Sequence, residues 1–167
     1  MNKKTILFAG RVAKSYLFYK SSQHWNRRQI EQFQDEQLKK IIRHAAKNVP
    51  YYRNLFKKIG FNSKKFNGRS DMHNIPFLDK DTVRKHQDDL IADNAESYGV
   101  NWDSTSGSTG TPLHFIVDNC TKANKLACVI RSYEWGGYLP WSRTFSIQSY
   151  RFKNELSFHK HYPYVNL

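Results

Sequence analysis

The amino-acid sequence predicts an α/β fold class, realised within these 167 residues as an α+β arrangement in which a helical N-terminal region precedes the start of a sheet. Up to Leu90, apolar residues recur at the three- and four-residue spacing of amphipathic helices. After Tyr98 the pattern changes to short apolar runs separated by glycine, serine and threonine, which is typical of strands and turns. Hydrophobic residues make up 39% of the chain, enough for a globular core.

The first predicted element is a basic amphipathic helix within residues 1–36. Cations surround one apolar face, and such a helix either packs on its own domain or lies on an anionic membrane surface. The sequence leaves both readings open. The apolar residues of this face are Ile6, Leu7, Val12, Ala13, Tyr16 and Leu17, and the cations are Lys3, Lys4, Arg11, Lys14 and Lys20.

Two further helices are predicted in close succession. Residues 27–47 keep helical apolar spacing, and Pro50 marks the end of that helix. A shorter helix follows from Tyr51 to Ile59, with Gly60 where helices favour a left-handed residue. The polar run from Phe61 to Asn74 has no sustained period, so we interpret it as a surface connection.

The next stretch is predicted to form one helix and a hairpin. Asp79 can cap a helix from Lys80 to Leu90. Val100–Ser104 and Leu113–Val117 are predicted strands on either side of a loop. The fold class depends on these two strands.

After the hairpin, Asp118 can cap a helix from Asn119 to Trp135, which Gly136 ends. The run RTFSIQSY, which begins at residue 143, is predicted to be a buried strand. Trp102 and Trp135 are interpreted as core residues.

The string TSGSTGTP, from Thr105 to Pro112, is the candidate functional segment. Two glycines allow the backbone to approach an anion closely, and five hydroxyl side chains can donate hydrogen bonds beside backbone N–H groups. This chemistry suits phosphate. A flexible linker has a similar composition, but this run is short and lies between apolar strands. A P-loop is excluded because no Gly-Lys-Ser/Thr ending is present.

TSGSTGTP resembles the phosphate loop of adenylate-forming enzymes. HAAKNVPYYRNLFKKIG, followed by IPFLDKDTVRKH, is similar in order and spacing to their phenylacetate–CoA ligase branch, which includes CapK-type capsule polysaccharide biosynthesis proteins. The resemblance extends from about Gln37 to Tyr150. It implies that residues 37–167 form an incomplete N-terminal domain of such a ligase and that the chain is a truncated form. Leu113 stands where many members of the superfamily have lysine.

The resemblance also implies an activity and its cofactors. ATP and a carboxylic acid would form an acyl-adenylate, with Mg²⁺ sharing the phosphate charge and coenzyme A or another acceptor taking the acyl group. We expect no turnover from this chain alone, and no catalytic residue is assigned. The phosphate-binding residues implied are Thr105, Ser106, Gly107, Ser108, Thr109, Gly110 and Thr111.

The remaining features are charge, cysteine and histidine. Lysine and arginine outnumber acidic residues 27 to 14, so an alternative is a non-catalytic basic protein that binds nucleic acid or anionic membrane. Nucleic acid is disfavoured because the aromatic residues among the cations are needed for burial. Cys120 and Cys128 are predicted to be reduced structural thiols in a cytoplasmic protein. No metal site is expected from the His159–His161 pair, which lacks a third ligand.

Overall fold

A computed structural model describes residues 2–105 and 111–138. These residues form a mostly helical structure with one two-stranded antiparallel sheet, which confirms the predicted α+β class. The strand predicted from residue 143 lies outside the described residues. The elements in chain order are α1 (Lys3–Ser22), α2 (Arg27–Asn48), α3 (Pro50–Lys58), α4 (Lys80–Lys85), β1 (Asn101–Ser104), β2 (His114–Val117) and α5 (Asn119–Trp135), with 3-10 turns at Arg69–Asn74 and Ala95–Tyr98.

Helices α2 and α3 form where the sequence predicts them. Asn26 and Gln29 cap α2 reciprocally, each side chain accepting a 3.0 Å hydrogen bond from the other residue's backbone N–H. Pro50 is the first residue of α3, where its missing N–H costs nothing. After α3, Gly60 has a φ of 65°, in agreement with the left-handed position predicted for it.

The main apolar core lies between α2, α3 and the segment after them. Ile42, Phe56 and Phe66 are buried together. The rings of Phe56 and Phe61 are 4.7 Å apart, so the aromatic residues after Pro50 pack inward. The interpretation of Phe61–Asn74 as a surface connection was therefore wrong in part, because Phe66 is only 2% exposed. A single aromatic residue in a polar run produces no apolar periodicity, so the sequence pattern did not indicate that Phe66 is buried.

Helix α1 packs against α5 rather than against the main core. Ala123 and Ala127 are fully buried, and such small side chains allow two helices to approach closely. Ser15 Oγ donates to Asn124 at 2.7 Å, and Tyr16 donates to Glu134 at 2.7 Å. Lys20 also pairs with Glu134, and hydrogen bonding to Lys20 lowers the pKa of the Glu134 carboxyl.

The single apolar face predicted for α1 was wrong in detail. Val12 and Tyr16 are partly buried, whereas Ile6, Leu7 and Leu17 are exposed. The two groups point in different directions from the helix axis. Helix α5 covers only part of the apolar surface of α1, because the apolar residues spread over a wider arc than one packed helix contacts.

Helix α4 is shorter than predicted, since it ends at Lys85 and not at Leu90. The predicted cap is confirmed: Asp79 accepts a 2.7 Å hydrogen bond from the Thr82 N–H, which lowers the pKa of its carboxyl. Beyond Lys85 the chain continues as local turns, in which the Leu90 N–H donates to the His86 carbonyl at 3.0 Å. The Asp89 carbonyl also accepts a hydrogen bond from the Tyr51 N–H of α3 at 2.9 Å.

The interpretation of Trp102 and Trp135 as core residues was wrong, because they are 59% and 67% exposed. Trp102 lies on a two-stranded sheet too small to enclose it. Trp135 is near the end of α5, where the Arg131 guanidinium stacks 4.7 Å from its ring. Cys120 and Cys128 are both free, as predicted, but both are exposed, so neither supports a core.

Candidate phosphate-binding loop

Strands β1 and β2 form an antiparallel hairpin that joins at the candidate loop. The register pairs Asn101 with Val117 at the open end and Ser104 with His114 next to the loop. The strand and helix predictions around TSGSTGTP are therefore confirmed to within one residue. Asp118 caps α5 directly after β2, accepting from the Thr121 N–H at 2.5 Å, so the hairpin leads straight into a helix.

Two hydrogen bonds between Thr105 and Leu113 close the base of the loop. The Thr105 N–H donates to the Leu113 carbonyl at 3.0 Å, and the Leu113 N–H donates to Thr105 Oγ1 at 3.0 Å. The pair extends the strand ladder by one step. Because Oγ1 acts as an acceptor in this bond, its own O–H can still donate to a ligand.

Arg84 in α4 contacts the other described end of the loop. Its Nη2 donates to the Thr111 carbonyl at 3.0 Å, while its Nη1 pairs with Asp81 at 2.8 Å. The guanidinium remains partly exposed. A fixed cation beside a candidate anion site raises the local positive potential.

The structure places two of the seven predicted site residues. Thr105 and Thr111 lie at opposite ends of the loop, and the side chains of both are exposed. Ser106, Gly107, Ser108, Thr109 and Gly110 lie outside the described residues. The Thr105 hydroxyl has a structural role that the sequence did not indicate, because it helps to close the hairpin.

Sequence reasoning did not single out Arg84, which the structure places beside the candidate loop. It was one of many cations in a basic chain, and its contact with Thr111 spans 27 residues. The only available signal was the position of the IPFLDKDTVRKH segment in the family resemblance, which does not indicate proximity to the loop.

A groove of about 490 Å³ lies against the hairpin, on the side towards α2 and α5. Its lining is mainly apolar and includes His44, Tyr98, Phe115 and Val117. The His44 and Tyr98 rings meet edge to face, with centroids 6.1 Å apart. Val117 belongs to the end of the hairpin away from the loop, so the groove is a feature of the open end.

Neither a metal-binding cluster nor a membrane-spanning helix occurs in the described part of the chain. Within residues 2–105 and 111–138, no three His, Cys, Asp or Glu side chains gather closely enough to hold a metal ion. The helices of these same ranges are all too short or too polar to cross a lipid bilayer. His159 and His161 lie outside the described residues.

Comparison with known proteins relates the chain distantly to one ligase. The chain is 30% identical over 86 residues to the phenylacetate–coenzyme A ligase of Thermus thermophilus. It is a distant relative of that ligase. The match covers 52% of this chain but only 19% of the ligase, so the chain spans about a fifth of the length of this curated relative. No protein-family model matches the chain.

Proposed function

We propose that the TSGSTGTP loop binds the terminal phosphates of ATP in the activation of a carboxylic acid as an acyl-adenylate. The acyl group would pass to coenzyme A or another acceptor. The observation that carries this proposal is the loop itself: a run of glycines and hydroxyl residues whose ends are bonded to each other through Thr105 and Leu113. The distant relationship to a phenylacetate–coenzyme A ligase supports the same reaction class.

The proposed reaction requires the loop to stabilise the negative charge that develops as pyrophosphate leaves. Ser106, Ser108 and Thr109 would donate hydroxyl hydrogen bonds to the β- and γ-phosphates. Gly107 and Gly110 would let the backbone N–H groups approach the phosphate oxygens. Mg²⁺, bound to the nucleotide, would neutralise part of the phosphate charge.

The described ends of the loop suit this assignment. The Thr105 hydroxyl can still donate its proton, Thr111 is exposed, and Arg84 supplies a cation next to the Thr111 backbone. The Asp81 carboxylate, 2.8 Å from Arg84, offsets part of the charge of that cation. The hydroxyl and guanidinium donors at the two ends of the loop therefore match the hydrogen-bonding needs of an anionic ligand.

Membership of the capsule polysaccharide branch and a cytoplasmic location belong to the same proposal. A cytoplasmic site gives access to ATP and coenzyme A. The nucleic-acid alternative is disfavoured by the burial of Phe56, because a ring that is 4% exposed cannot stack on a base.

Calorimetric titration of the 167-residue chain with pyrophosphate and with MgATP tests the proposal. We expect binding that Gly107→Val or Gly110→Val weakens by about tenfold or more, because a branched side chain blocks close phosphate approach. Gly10→Ala is the matched glycine control, since a Cβ at that helical position meets nothing within 4 Å. Unchanged affinity in both valine variants, or an equal loss in the control, would contradict the proposal.

A further inference from the structure

Helix α1 has a second apolar stripe, which is exposed. Its members follow the spacing i, i+4, i+7 and i+11, so they share one side of the helix. Ile6 and Leu17 at the two ends of the stripe are 52% and 64% exposed. We call this the outer stripe: Ile6, Gly10, Ala13 and Leu17.

The outer stripe faces away from α5. The positions that approach α5 follow the same spacing but are shifted by two residues, which rotates them by about 200° around the helix axis. Ser15 and Tyr19 belong to this inner set: Ser15 bonds to Asn124, and the Tyr19 carbonyl accepts from Arg131 at 3.1 Å. Among the described residues, α1 therefore has one apolar face that is packed and one that is not.

The charges of α1 are all positive. The helix contains no acidic residue, and Lys20 is paired with Glu134. The other four cations make no ion pair within the part of the chain that the structure describes. All four are exposed: Lys3 and Lys14 lie beside the outer stripe, whereas Lys4 and Arg11 lie nearer the side of the helix that faces α5.

We propose that the outer stripe of α1 docks on an anionic lipid surface, with the helix lying in the plane of the membrane. Ile6 and Leu17 would enter the boundary between headgroups and acyl chains, and the flanking Lys3 and Lys14 would bind anionic headgroups. Long lysine and arginine stems can extend past the apolar residues to reach those headgroups. This interaction is independent of the phosphate-loop proposal.

Charge and apolarity together favour lipid over other occupants. A second copy of α1 would bring like charges together, which is unfavourable, because each copy has five cations and no acid. A nucleic acid would use the cations but would leave Ile6 and Leu17 in water. An anionic membrane satisfies both features of the surface.

Co-sedimentation of the chain with lipid vesicles tests the charge requirement. We expect binding to phosphatidylcholine vesicles that contain phosphatidylserine, and weak binding to phosphatidylcholine alone. Lys3→Gln combined with Lys14→Gln should lower the partition coefficient by about tenfold or more, since each cation near such a surface contributes on the order of fivefold. Lys57→Gln combined with Lys58→Gln, on exposed positions of α3, changes the net charge equally and should have little effect.

The apolar requirement is tested with a matched pair of exposed residues. Leu17→Ser should weaken binding several-fold, whereas Ile41→Ser on α2, which removes a side chain that is 60% exposed, should not. Circular dichroism checks that each variant keeps its helices. Equal binding to both vesicle types, equal losses in the α1 and α3 charge variants, or a chain dimer that Leu17→Ser dissociates would each overturn the proposal.

Discussion

The Arg84 guanidinium donates a 3.0 Å hydrogen bond to the carbonyl oxygen of Thr111, so α4 is joined to the C-terminal end of the candidate phosphate loop. The same guanidinium is paired with Asp81 one turn earlier in α4. These two bonds orient the guanidinium beside the loop. It supplies a positive charge at a defined place beside the loop.

The first prediction is that Arg84→Met weakens pyrophosphate binding by roughly two- to fivefold, the range that an exposed ion pair supplies. Arg84→Lys keeps the charge but not the planar fork that bonds Thr111 and Asp81, so it should restore only part of the affinity. Calorimetric titration at low ionic strength measures both variants, and added salt should reduce the difference between them.

Lys85→Met is the matched control for Arg84, because it removes one exposed cation from the same helix. If Lys85→Met weakens binding as much as Arg84→Met, the effect comes from net charge and the proposed role of Arg84 is wrong.

The second prediction concerns Gly68, whose φ of 139° is a conformation that essentially only glycine adopts. A Cβ at this position would lie 2.5 Å from Asp35 Oδ1 and 2.6 Å from its Cγ. We expect Gly68→Ala to lower the free energy of unfolding by about 1–3 kcal/mol, because strain and collision act together. Urea denaturation measures the change.

Gly10→Ala gives the opposite expectation from the same chemical change. Gly10 lies within α1, and a Cβ there meets nothing within 4 Å, so alanine should stabilise the helix by about 0.5–1 kcal/mol. If both alanine variants destabilise the chain equally, the explanation from the φ of Gly68 fails.

Local patterns made most of the helices and the hairpin predictable. The first three helices and α5 were indicated by apolar spacing with punctuation at Pro50, Gly60 and Asp118, all of which act within a few residues. The hairpin was indicated by a change of period around a glycine-rich run. These signals are short-range, as are the hydrogen bonds that produce such elements.

The errors arise where distant segments meet. After α4 the Asp89 carbonyl bonds to Tyr51 of α3, and the burial of Phe66 depends on contacts with α2 and α3. The position of Arg84 depends on a bond across 27 residues. A single sequence does not show which residues of two segments will be neighbours, so these features needed the structure.

The third prediction is a pH dependence of stability that originates at Asp35. Hydrogen bonds from the Arg69 side chain and backbone lower the pKa of the Asp35 carboxyl below its ordinary value of 3.8. A lowered folded-state pKa stabilises the fold above the ordinary pKa, and this contribution is lost as the pH falls through the lowered value. Asp35→Asn should therefore destabilise the chain most near neutral pH, and the difference should shrink below pH 3.8.

Urea denaturation of the original chain and of the Asp35→Asn variant over a pH series measures this difference. Asp88→Asn is the control, because Asp88 is exposed and its carboxylate has no ion pair within the described ranges. If the stability lost in the Asp35→Asn variant is constant across the series, the Arg69 contact contributes no proton-linked stability.

The last prediction is that the 167-residue chain alone catalyses no substrate-dependent ATP–pyrophosphate exchange. A phosphate loop supplies one part of such a site, and the matched segment corresponds to 19% of the related ligase. Acyl-adenylate formation requires the carboxylate, the α-phosphate and the charge-stabilising groups to be positioned together, so binding of the terminal phosphates by itself gives no rate enhancement. The assay uses a panel of aryl and acyl carboxylates, with the Thermus thermophilus ligase measured in parallel as the positive control. Pyrophosphate binding without exchange is the expected result for this chain, whereas exchange that depends on a carboxylate would show that these residues contain a complete adenylation site.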